Sequence, residues 1–212
     1  MKKNFFTIEN DFYRFVPFSR IEKFILQMEL FKKTSKVKGD IIEFGVYKGN
    51  SLIRLISFNK IFNKKKKIFG FDVFQKFPDG NYKKDKLQRE KFVKFAGENS
   101  ININSLKKIL KDKKFNNFRL IKGDVLKTIP TFLKINKKLN FSFINLDLDL
   151  YEPSLLVLEK FYPKLSRKGI ILLDNYNSFF GETRAVNEFC EKKNIKIQNL
   201  NLNQKKIFYI QK

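Results

Sequence analysis

The stretch Asp40–Ser51, which reads DIIEFGVYKGNS, constrains the fold more than any other part of the chain. A short apolar run ends in Glu43, Gly45 and Gly49 bracket a turn, and a helical pattern of apolar residues begins at Ser51. These features predict a strand, a glycine turn and a helix. Glycines let the backbone approach a ligand closely, and the helix start directs unpaired N–H groups into the same crevice. We therefore expect a small-molecule site at the end of the first strand.

The spacing of this turn distinguishes its ligand from a dinucleotide. A dinucleotide site uses Gly-x-Gly-x-x-Gly to seat a pyrophosphate on the helix, whereas here a glutamate is followed by x-Gly-x-x-x-Gly. The carboxylate of Glu43 suits a ligand that carries an ammonium group. S-adenosylmethionine carries such a group and no phosphate, so it is the expected cofactor. The alternative is an ordinary strand-to-helix turn with a chance glutamate.

The composition of the chain limits its class. A length of 212 residues with a hydrophobic fraction of 42% suits one globular domain with a full core. No window approaches the roughly 18 consecutive apolar residues of a membrane span, and polar residues break the N-terminus before a secretory core could form. We therefore expect a cytoplasmic protein without a membrane span. Because Cys190 is the single cysteine and histidine is absent, a bound metal would need oxygen ligands.

The formal net charge of +24 raises the possibility of a nucleic-acid partner, because clustered cations neutralise phosphates. The lysines, however, are spread almost evenly along the chain, which is also rich in asparagine, isoleucine and phenylalanine. A chain built from such a biased residue repertoire would carry this charge whatever it bound. We therefore expect a dispersed solubilising coat and no nucleic-acid partner.

The segment before the glycine turn is predicted to be helical. Phe18–Phe31 places apolar side chains at helical spacing, so this stripe should pack on the domain or on a partner subunit. We divide the chain into an N-terminal helical segment, residues 1–36, and a domain that binds S-adenosylmethionine, residues 37–212, and a homo-oligomer is possible. The second strand, Lys67–Asp72, ends in an acid that can accept two hydrogen bonds from ribose hydroxyls. Asp72 is therefore the expected ribose ligand.

The middle of the chain supplies a third strand, Phe118–Ile121, followed by Gly123 and Asp124. Asp124 at this strand end could meet the adenine amino group of the cofactor. The helical pattern that follows should be interrupted at Pro130. A charged stretch further upstream, Lys83–Asn99, is compatible with a mobile cover over the site or with a plain surface helix.

Oxygen ligands follow two neighbouring strands, residues 141–146 and 169–173, which are separated by a helix predicted over Pro153–Leu165. Strands that alternate with helices pair in parallel, so these ends should lie at one edge of the sheet. The polar side chains there are Asp147, Asp149, Asp174 and Asn175. Asp147, Asp174 and the Asn175 amide oxygen could fill half of an octahedron around Mg²⁺. The alternative is that they cap helices or lie in solvated loops.

Four segments of the chain carry a resemblance to a known family. They are IIEFGVYKGNS, FGFDVFQKFPD, INLDLDLYEPSLLVLEKFYPKLSRKGIILLDNY and GETRAVNEF, and the resemblance runs from about Phe18 to Phe189. They resemble the macrocin O-methyltransferase family, metal-dependent enzymes that methylate sugar hydroxyls with S-adenosylmethionine. The first motif and the Asp, Asp-Asn pattern are also similar to catechol and caffeoyl-CoA O-methyltransferases.

The resemblance implies an α/β fold of the Rossmann-like class I methyltransferase type. Such a fold has a seven-stranded, mostly parallel sheet with one antiparallel strand and helices on both faces; the closing strands should be Ile195–Leu200 and Ile207–Ile210. By the same resemblance, the methionine part of S-adenosylmethionine would contact Glu43, Gly45, Tyr47 and Ser51, with Gly49 in the same turn. Asp72 would hold the ribose. The metal, Mg²⁺ or Mn²⁺, would be bound by Asp147, Asp174 and Asn175.

The chain departs from the family pattern in two places. Asn175 stands in Asp174-Asn175-Tyr176 where macrocin-type members usually have a second aspartate, although the catechol-type enzymes also use Asp-Asn there. Asn177 stands where some macrolide-sugar enzymes place a histidine base. Another group must therefore take the proton, and Asp149 is the candidate catalytic base. Related enzymes can instead use this second acid to hold the cofactor amine.

The leading hypothesis is a metal-dependent O-methyltransferase acting on a sugar hydroxyl of a nucleotide sugar, a glycan or a glycosylated natural product. An O-methyltransferase acting on a catechol-like acceptor is the first alternative. A basic protein that binds or modifies RNA on the same fold is the second. The acidic strand ends argue against the second alternative because they repel phosphates.

Overall fold

The computed structural model describes residues 4–62, 65–79 and 82–212, so the first three residues of the predicted N-terminal segment lie outside it. Within these ranges the chain forms eight helices and seven strands. The helices are α1 (Phe5–Phe15), α2 (Phe18–Thr34), α3 (Asn50–Ile61), α4 (Lys83–Ala96), α5 (Ile103–Asp112), α6 (Val125–Ile135), α7 (Tyr151–Phe161) and α8 (Phe180–Lys193). The strands are β1 (Asp40–Phe44), β2 (Ile68–Asp72), β3 (Phe118–Lys122), β4 (Phe141–Leu146), β5 (Leu165–Leu173), β6 (Gln198–Asn201) and β7 (Lys206–Gln211).

The seven strands form one sheet in the order β3-β2-β1-β4-β5-β7-β6. Strands β1 to β5 pair in parallel, and β7 runs antiparallel to both of its neighbours. The predicted seven-stranded sheet with one antiparallel strand is thus confirmed. The strand order reverses between β1 and β4, and ligands of open α/β sheets bind in the crevice at such a point.

Helices cover both faces of the sheet, which explains the nearly continuous apolar runs of the central strands. On β1, Ile41 faces a core layer completed by α2, α3 and α5, whereas Ile42 and Phe44 face the layer completed by α6, α7 and α8. All three side chains are fully buried. This packing fixes β1 in the centre of the sheet, with Glu43 and the glycine turn at its carboxyl end.

The two N-terminal helices differ in how they contact the domain. Helix α2 buries Leu26, Leu30 and Phe31 in the core. The predicted stripe was only partly right, because it consisted of Ile21, Phe24, Ile25, Met28 and Phe31, and of these only Phe31 is buried. Helix α1 buries no residue, and the side chains of Phe5 and Phe15 are 82% and 78% exposed. Packing of the N-terminal segment on a partner subunit therefore stays a prediction that concerns α1. Among the described helices, none is long and apolar enough to cross a membrane.

The predicted interruption of the helix at Pro130 was wrong. Helix α6 runs through this residue to Ile135. Asp124 caps its first turn, and buried residues before and after the proline, Ile129 and Phe132, fix it to the sheet. Burial of this apolar face outweighs the loss of one backbone hydrogen bond at the proline.

The boundary between α7 and β5 also differs from the prediction. Helix α7 ends at Phe161, and β5 begins at Leu165 rather than at Gly169. The sequence signal was misleading because polar residues follow Leu165 and because Lys168 adopts a positive φ of 65°. The register between β4 and β5 shifts in the same region, between Phe141 and Phe143.

The charged stretch upstream of β3 forms helix α4 beside the carboxyl edge of the sheet. The side chain of Gln88 joins it to the segment after β5, because it donates to the Ser178 carbonyl at 2.8 Å and accepts from the Phe180 N–H at 2.5 Å. The Tyr151 N–H, at the start of α7, donates to Asp85 at 3.0 Å. Helix α4 therefore borders the crevice and is held there by polar contacts.

Candidate active site

The register of the central strands brings the predicted metal ligands to one level. Leu146 of β4 pairs with Leu173 of β5, so Asp147 and Asp174 follow at matching positions. The ladder continues one step further, since the Asp174 N–H donates to the Leu146 carbonyl at 3.0 Å. Parallel pairing therefore places both acids at the same edge of the sheet, as the sequence predicted.

Asn175 links the acids that follow β4. Its Nδ2 atom donates to Asp147 Oδ1 at 2.6 Å and to Asp149 Oδ1 at 2.5 Å. The amide nitrogen, not the oxygen predicted as a metal ligand, thus faces these carboxylates. A half-turn about the Cβ–Cγ bond would bring the oxygen to the same place, because the two amide atoms have similar size and opposite hydrogen-bonding roles.

Asp149 has a strained backbone with φ of 64°. Non-glycine residues with positive φ are uncommon and are concentrated at functional sites, where surrounding contacts hold them in place. Here the Asp149 N–H donates to Glu182 Oε2 at 3.3 Å. Burial, with repulsion from Asp147 and Glu182, raises the pKa of the Asp149 carboxyl well above its usual value.

Glu182, in the first turn of α8, connects the loops that follow β4 and β5. It accepts hydrogen bonds from the backbone N–H groups of Leu148 and Asp149 through Oε2, and from that of Asn175 through Oε1 at 2.9 Å. The side chain is fully buried, and burial with the nearby charge of Asp147 raises its pKa to about 8. The sequence reasoning included this residue in the segment GETRAVNEF but gave it no role.

Helix α2 contributes two further side chains that the sequence reasoning missed. Lys23 Nζ lies 2.6 Å from Asp174 Oδ2, and Gln27 Nε2 donates to Asp174 Oδ1 at 3.2 Å. Burial acts to raise the pKa of Asp174, but the charge and hydrogen bond of Lys23 outweigh it and the pKa lies below its usual value. By contrast, burial and repulsion from Asp174 raise the pKa of Asp147 to about 7.

Glu43 lies fully buried on β1, directly across from Asn145 of β4. The Asn145 amide donates to Glu43 Oε1 at 2.8 Å. Burial raises the pKa of Glu43 to about 8, although hydrogen bonds from Ser51 and Asn145 act in the opposite direction. A buried carboxylate in this setting fits the ammonium group of S-adenosylmethionine, since a nearby positive charge would favour its ionised form.

The two glycines of the central turn are needed by the protein's own packing. Gly45 has φ of 89°, and a Cβ at this position would lie 1.7 Å from the carbonyl oxygen of Asp147. Gly49 has φ of 86°, and a Cβ there would lie 2.9 Å from the side chain of Leu106. Both conformations are accessible mainly to glycine. The sequence reasoning attributed these residues to ligand approach, and their contact with the cofactor stays a prediction.

Asp72 is occupied by hydrogen bonds within the chain. Its Oδ2 accepts from the N–H groups of Val46 and Tyr47 at 2.9 and 2.8 Å. Its Oδ1 accepts from the Phe74 N–H at 2.6 Å and from the Ser100 hydroxyl at 2.8 Å. Because a carboxylate accepts about four hydrogen bonds, a ribose would have to displace one of these donors. Ribose binding by Asp72 stays a prediction, whereas its support of the turn is observed.

Tyr47 and Asp124 also have partners within the protein. Tyr47, with φ of 48°, donates its hydroxyl to the carbonyls of Ala96 and Gly97 at the end of α4. Asp124 caps α6 by accepting from the Leu126 N–H at 2.9 Å, directly after Gly123 at φ of 134°. These contacts order the loops around the crevice, and the predicted contacts with methionine and adenine remain to be tested.

The acidic cluster, formed by Asp147, Asp149, Asp174 and Asn175, has oxygen donors that suit a divalent cation. The described residues contain no group of three or more histidine, cysteine or acidic side chains that could hold a metal ion. The predicted set, however, consists of two carboxylates and an amide, which are ligands typical of Mg²⁺ and Mn²⁺. Burial, together with repulsion from Asp174, raises the pKa of Asp147 to about 7. A cation bound between them would relieve this repulsion.

Comparison with known families identifies the chain. The family model for macrocin-O-methyltransferase (TylF) matches residues 14–211, which is nearly the whole sequence. The chain belongs to the macrocin O-methyltransferase family. Membership in this family confirms the predicted enzyme class, an S-adenosylmethionine-dependent O-methyltransferase. A search of curated proteins found no significant match.

Solved structures share the fold of this macrocin O-methyltransferase family member. CalS11, a calicheamicin methyltransferase, is 24% identical with a TM-score of 0.80, over all of this chain and 86% of CalS11. The O-methyltransferase NovP is 20% identical with a TM-score of 0.75, over 92% of this chain and 80% of NovP. The Podospora anserina methyltransferase PaMTH1, solved with bound SAH, is 16% identical with a TM-score of 0.52, over 99% and 97% of the two chains.

Proposed function

We propose that the protein transfers the methyl group of S-adenosylmethionine to a sugar hydroxyl with the help of Mg²⁺ or Mn²⁺. The observation that carries the proposal is the alignment of Asp147 and Asp174 on adjacent strands, with Asn175 bonded to the acids after β4. Glu43 lies on the neighbouring strand β1, so the expected cofactor ammonium and the acidic cluster share one crevice. Family membership supports the sugar hydroxyl as acceptor.

The reaction requires an activated hydroxyl held in line with the methyl group. The carbon–sulfur bond of the sulfonium breaks as the carbon–oxygen bond forms, sulfur keeps the electron pair, and the hydroxyl proton must be removed. A divalent ion held by Asp147, Asp174 and Asn175 would supply positive charge that lowers the pKa of the hydroxyl. The protein supplies the orientation, because Glu43 anchors the methionine end of the cofactor on β1.

Asp149 is the proposed acceptor of the hydroxyl proton. Its carboxylate adjoins Asn175, and its raised pKa makes the ionised form a stronger base than an ordinary aspartate. Glu182 accepts from the Asp149 N–H and so supports the strained backbone that positions this side chain. Holding the cofactor amine is the other role that this position permits.

The acceptor is proposed to be a sugar on a nucleotide, a glycan or a natural product. One solved structure of CalS11 describes that protein as a TDP-rhamnose 3'-O-methyltransferase. This description supports a nucleotide-linked sugar as the first substrate to test. A cytoplasmic location, a homo-oligomer and the absence of a nucleic-acid partner stay predictions made from the sequence.

Calorimetry should show that S-adenosylhomocysteine binds the protein with one-to-one stoichiometry and that NAD does not bind. Glu43→Gln should weaken this binding at least about tenfold, because a charge-assisted hydrogen bond contributes about 1.5–3 kcal/mol. Glu159→Gln, at an exposed position of α7, makes the same chemical change away from the crevice and should bind normally. Binding of NAD without binding of S-adenosylhomocysteine would contradict the assignment of the glycine turn.

A further inference from the structure

The ammonium group of Lys23 lies at the acidic cluster and supplies it with a positive charge from the chain itself. The ammonium of Lys23 contacts Asp174 Oδ2 at 2.6 Å, while Gln27 donates to Oδ1 of the same carboxylate. The side chains of Lys23 and Asp174 are only 11% and 6% exposed. Lys23 and Gln27 of α2 therefore each contact one carboxylate oxygen of Asp174, the proposed metal ligand at the end of β5.

The sequence of α2 explains how these two side chains reach the same carboxylate. Lys23 and Gln27 are four residues apart, so they lie on one face of the helix. Leu26 and Leu30, which neighbour this face, are buried in the core and fix the rotation of α2 against the sheet. The ammonium is thus delivered by a packed helix, although its flexible four-carbon stem can adopt other rotamers.

One ammonium does not balance the charge of this edge of the sheet. Five carboxyl groups lie at this edge, and among the described ion pairs only Lys23–Asp174 involves one of them. The five are Glu43, Asp147, Asp149, Asp174 and Glu182. Arg54 of α3 and Lys205 of the β6–β7 turn act on Asp174 from further away, since neither forms a described ion pair with it. The edge therefore retains capacity for further positive charge.

Lys23 and a divalent ion would compete for the carboxylate of Asp174, whose Oδ2 the ammonium contacts. Two cations on one carboxylate would lie within a few ångströms of each other, and their repulsion at the low effective dielectric of a buried site is large. A divalent ion that coordinates Asp174 Oδ2 must therefore displace the ammonium. Displacement requires a rotamer change of Lys23 and leaves the ammonium near the mouth of the crevice.

We propose that Lys23 is an internal competing cation that weakens divalent-ion binding at Asp174. The proposal rests on the metal site of the proposed function. In the absence of a divalent ion, the ammonium of Lys23 neutralises Asp174. Ion binding breaks this contact, and the side chain of Lys23 moves while the packed helix α2 stays in place.

Titration calorimetry of Mn²⁺ into the protein tests this competition without any turnover assay. Lys23→Met keeps the length of the apolar stem but removes the charge, so the Kd for Mn²⁺ should fall at least about tenfold. The matched control is Lys32→Met, the same change at an exposed position of the same helix, whose Kd should stay within about twofold of wild type. Circular dichroism and binding of S-adenosylhomocysteine show whether each variant is folded.

A second variant keeps the test decisive if Lys23→Met does not fold. Lys23→Gln retains a hydrogen-bond donor toward Asp174 but no charge, and it should also bind Mn²⁺ more tightly than wild type. Equal or weaker binding in a folded Lys23 variant would overturn the competition and leave the metal proposal standing. Absence of Mn²⁺ binding in both wild type and the Lys23 variants would overturn the metal site itself and the inference with it.

Discussion

Replacing Asp174 with alanine should reduce methyl transfer by at least about 10²-fold while the affinity for S-adenosylhomocysteine changes little. The substitution removes a charged ligand at the end of β5, whereas the expected cofactor contacts lie on β1, β2, the turn into α3 and its first residues, and the loop after β3. It also leaves Lys23 without its carboxylate partner. Steady-state kinetics and calorimetry on the same preparation separate the two effects.

Removal of divalent ions provides the parallel test of this site. EDTA should abolish turnover of the wild-type protein, and added Mg²⁺ or Mn²⁺ should restore it. Asp112→Ala changes an exposed aspartate at the end of α5 and should leave both turnover and its ion requirement intact. Full activity of the Asp174→Ala variant in EDTA would refute the metal mechanism.

Glu182→Ala should lower the free energy of unfolding by about 3 kcal/mol, because three partly buried backbone N–H groups lose their acceptor. The residues affected are Leu148, Asp149 and Asn175, which lie on both loops of the acidic cluster. Turnover should fall as well, since the strained backbone of Asp149 loses its support. Urea denaturation followed by circular dichroism measures the stability change.

Two further variants separate this effect from a general loss of charge on α8. Glu182→Gln keeps one acceptor oxygen and should be intermediate in stability. Glu191→Ala removes an exposed glutamate from the same helix and should unfold within about 0.5 kcal/mol of wild type. Wild-type stability in a folded Glu182→Ala variant would mean that the three backbone contacts do not hold the loops.

Much of the fold was predictable because its signals are local. The apolar runs of β1, β2 and β4 indicated buried parallel strands, and their order with helices between them indicated a shared carboxyl edge. That topology alone places Asp147 and Asp174 near each other, since parallel strands end at the same edge. The polar start of β5 and the helix through Pro130 were mispredicted because packing overrode local preference.

The contacts within the site were less predictable because they depend on tertiary packing. Lys23 lies 151 residues from Asp174 in the sequence, and it interrupts an apolar helical stripe in the way that a solvent-facing lysine would. Asp72 is the opposite case, a residue that the sequence reasoning assigned to the ligand although its oxygens already have partners within the chain. An acid at the end of β2 suits a ribose, yet the sequence could not show that four donors of the chain already surround it.

Mass spectrometry of reactions with methyl-labelled S-adenosylmethionine tests the central claim most directly. Nucleotide sugars, glycosides, catechols and RNA would each be incubated with the protein, with and without Mg²⁺. We expect one labelled methyl group on a sugar hydroxyl oxygen, formed only when the divalent ion is present. Labelling of a catechol or of RNA with every sugar unchanged, or ion-independent labelling of a sugar, would contradict the account.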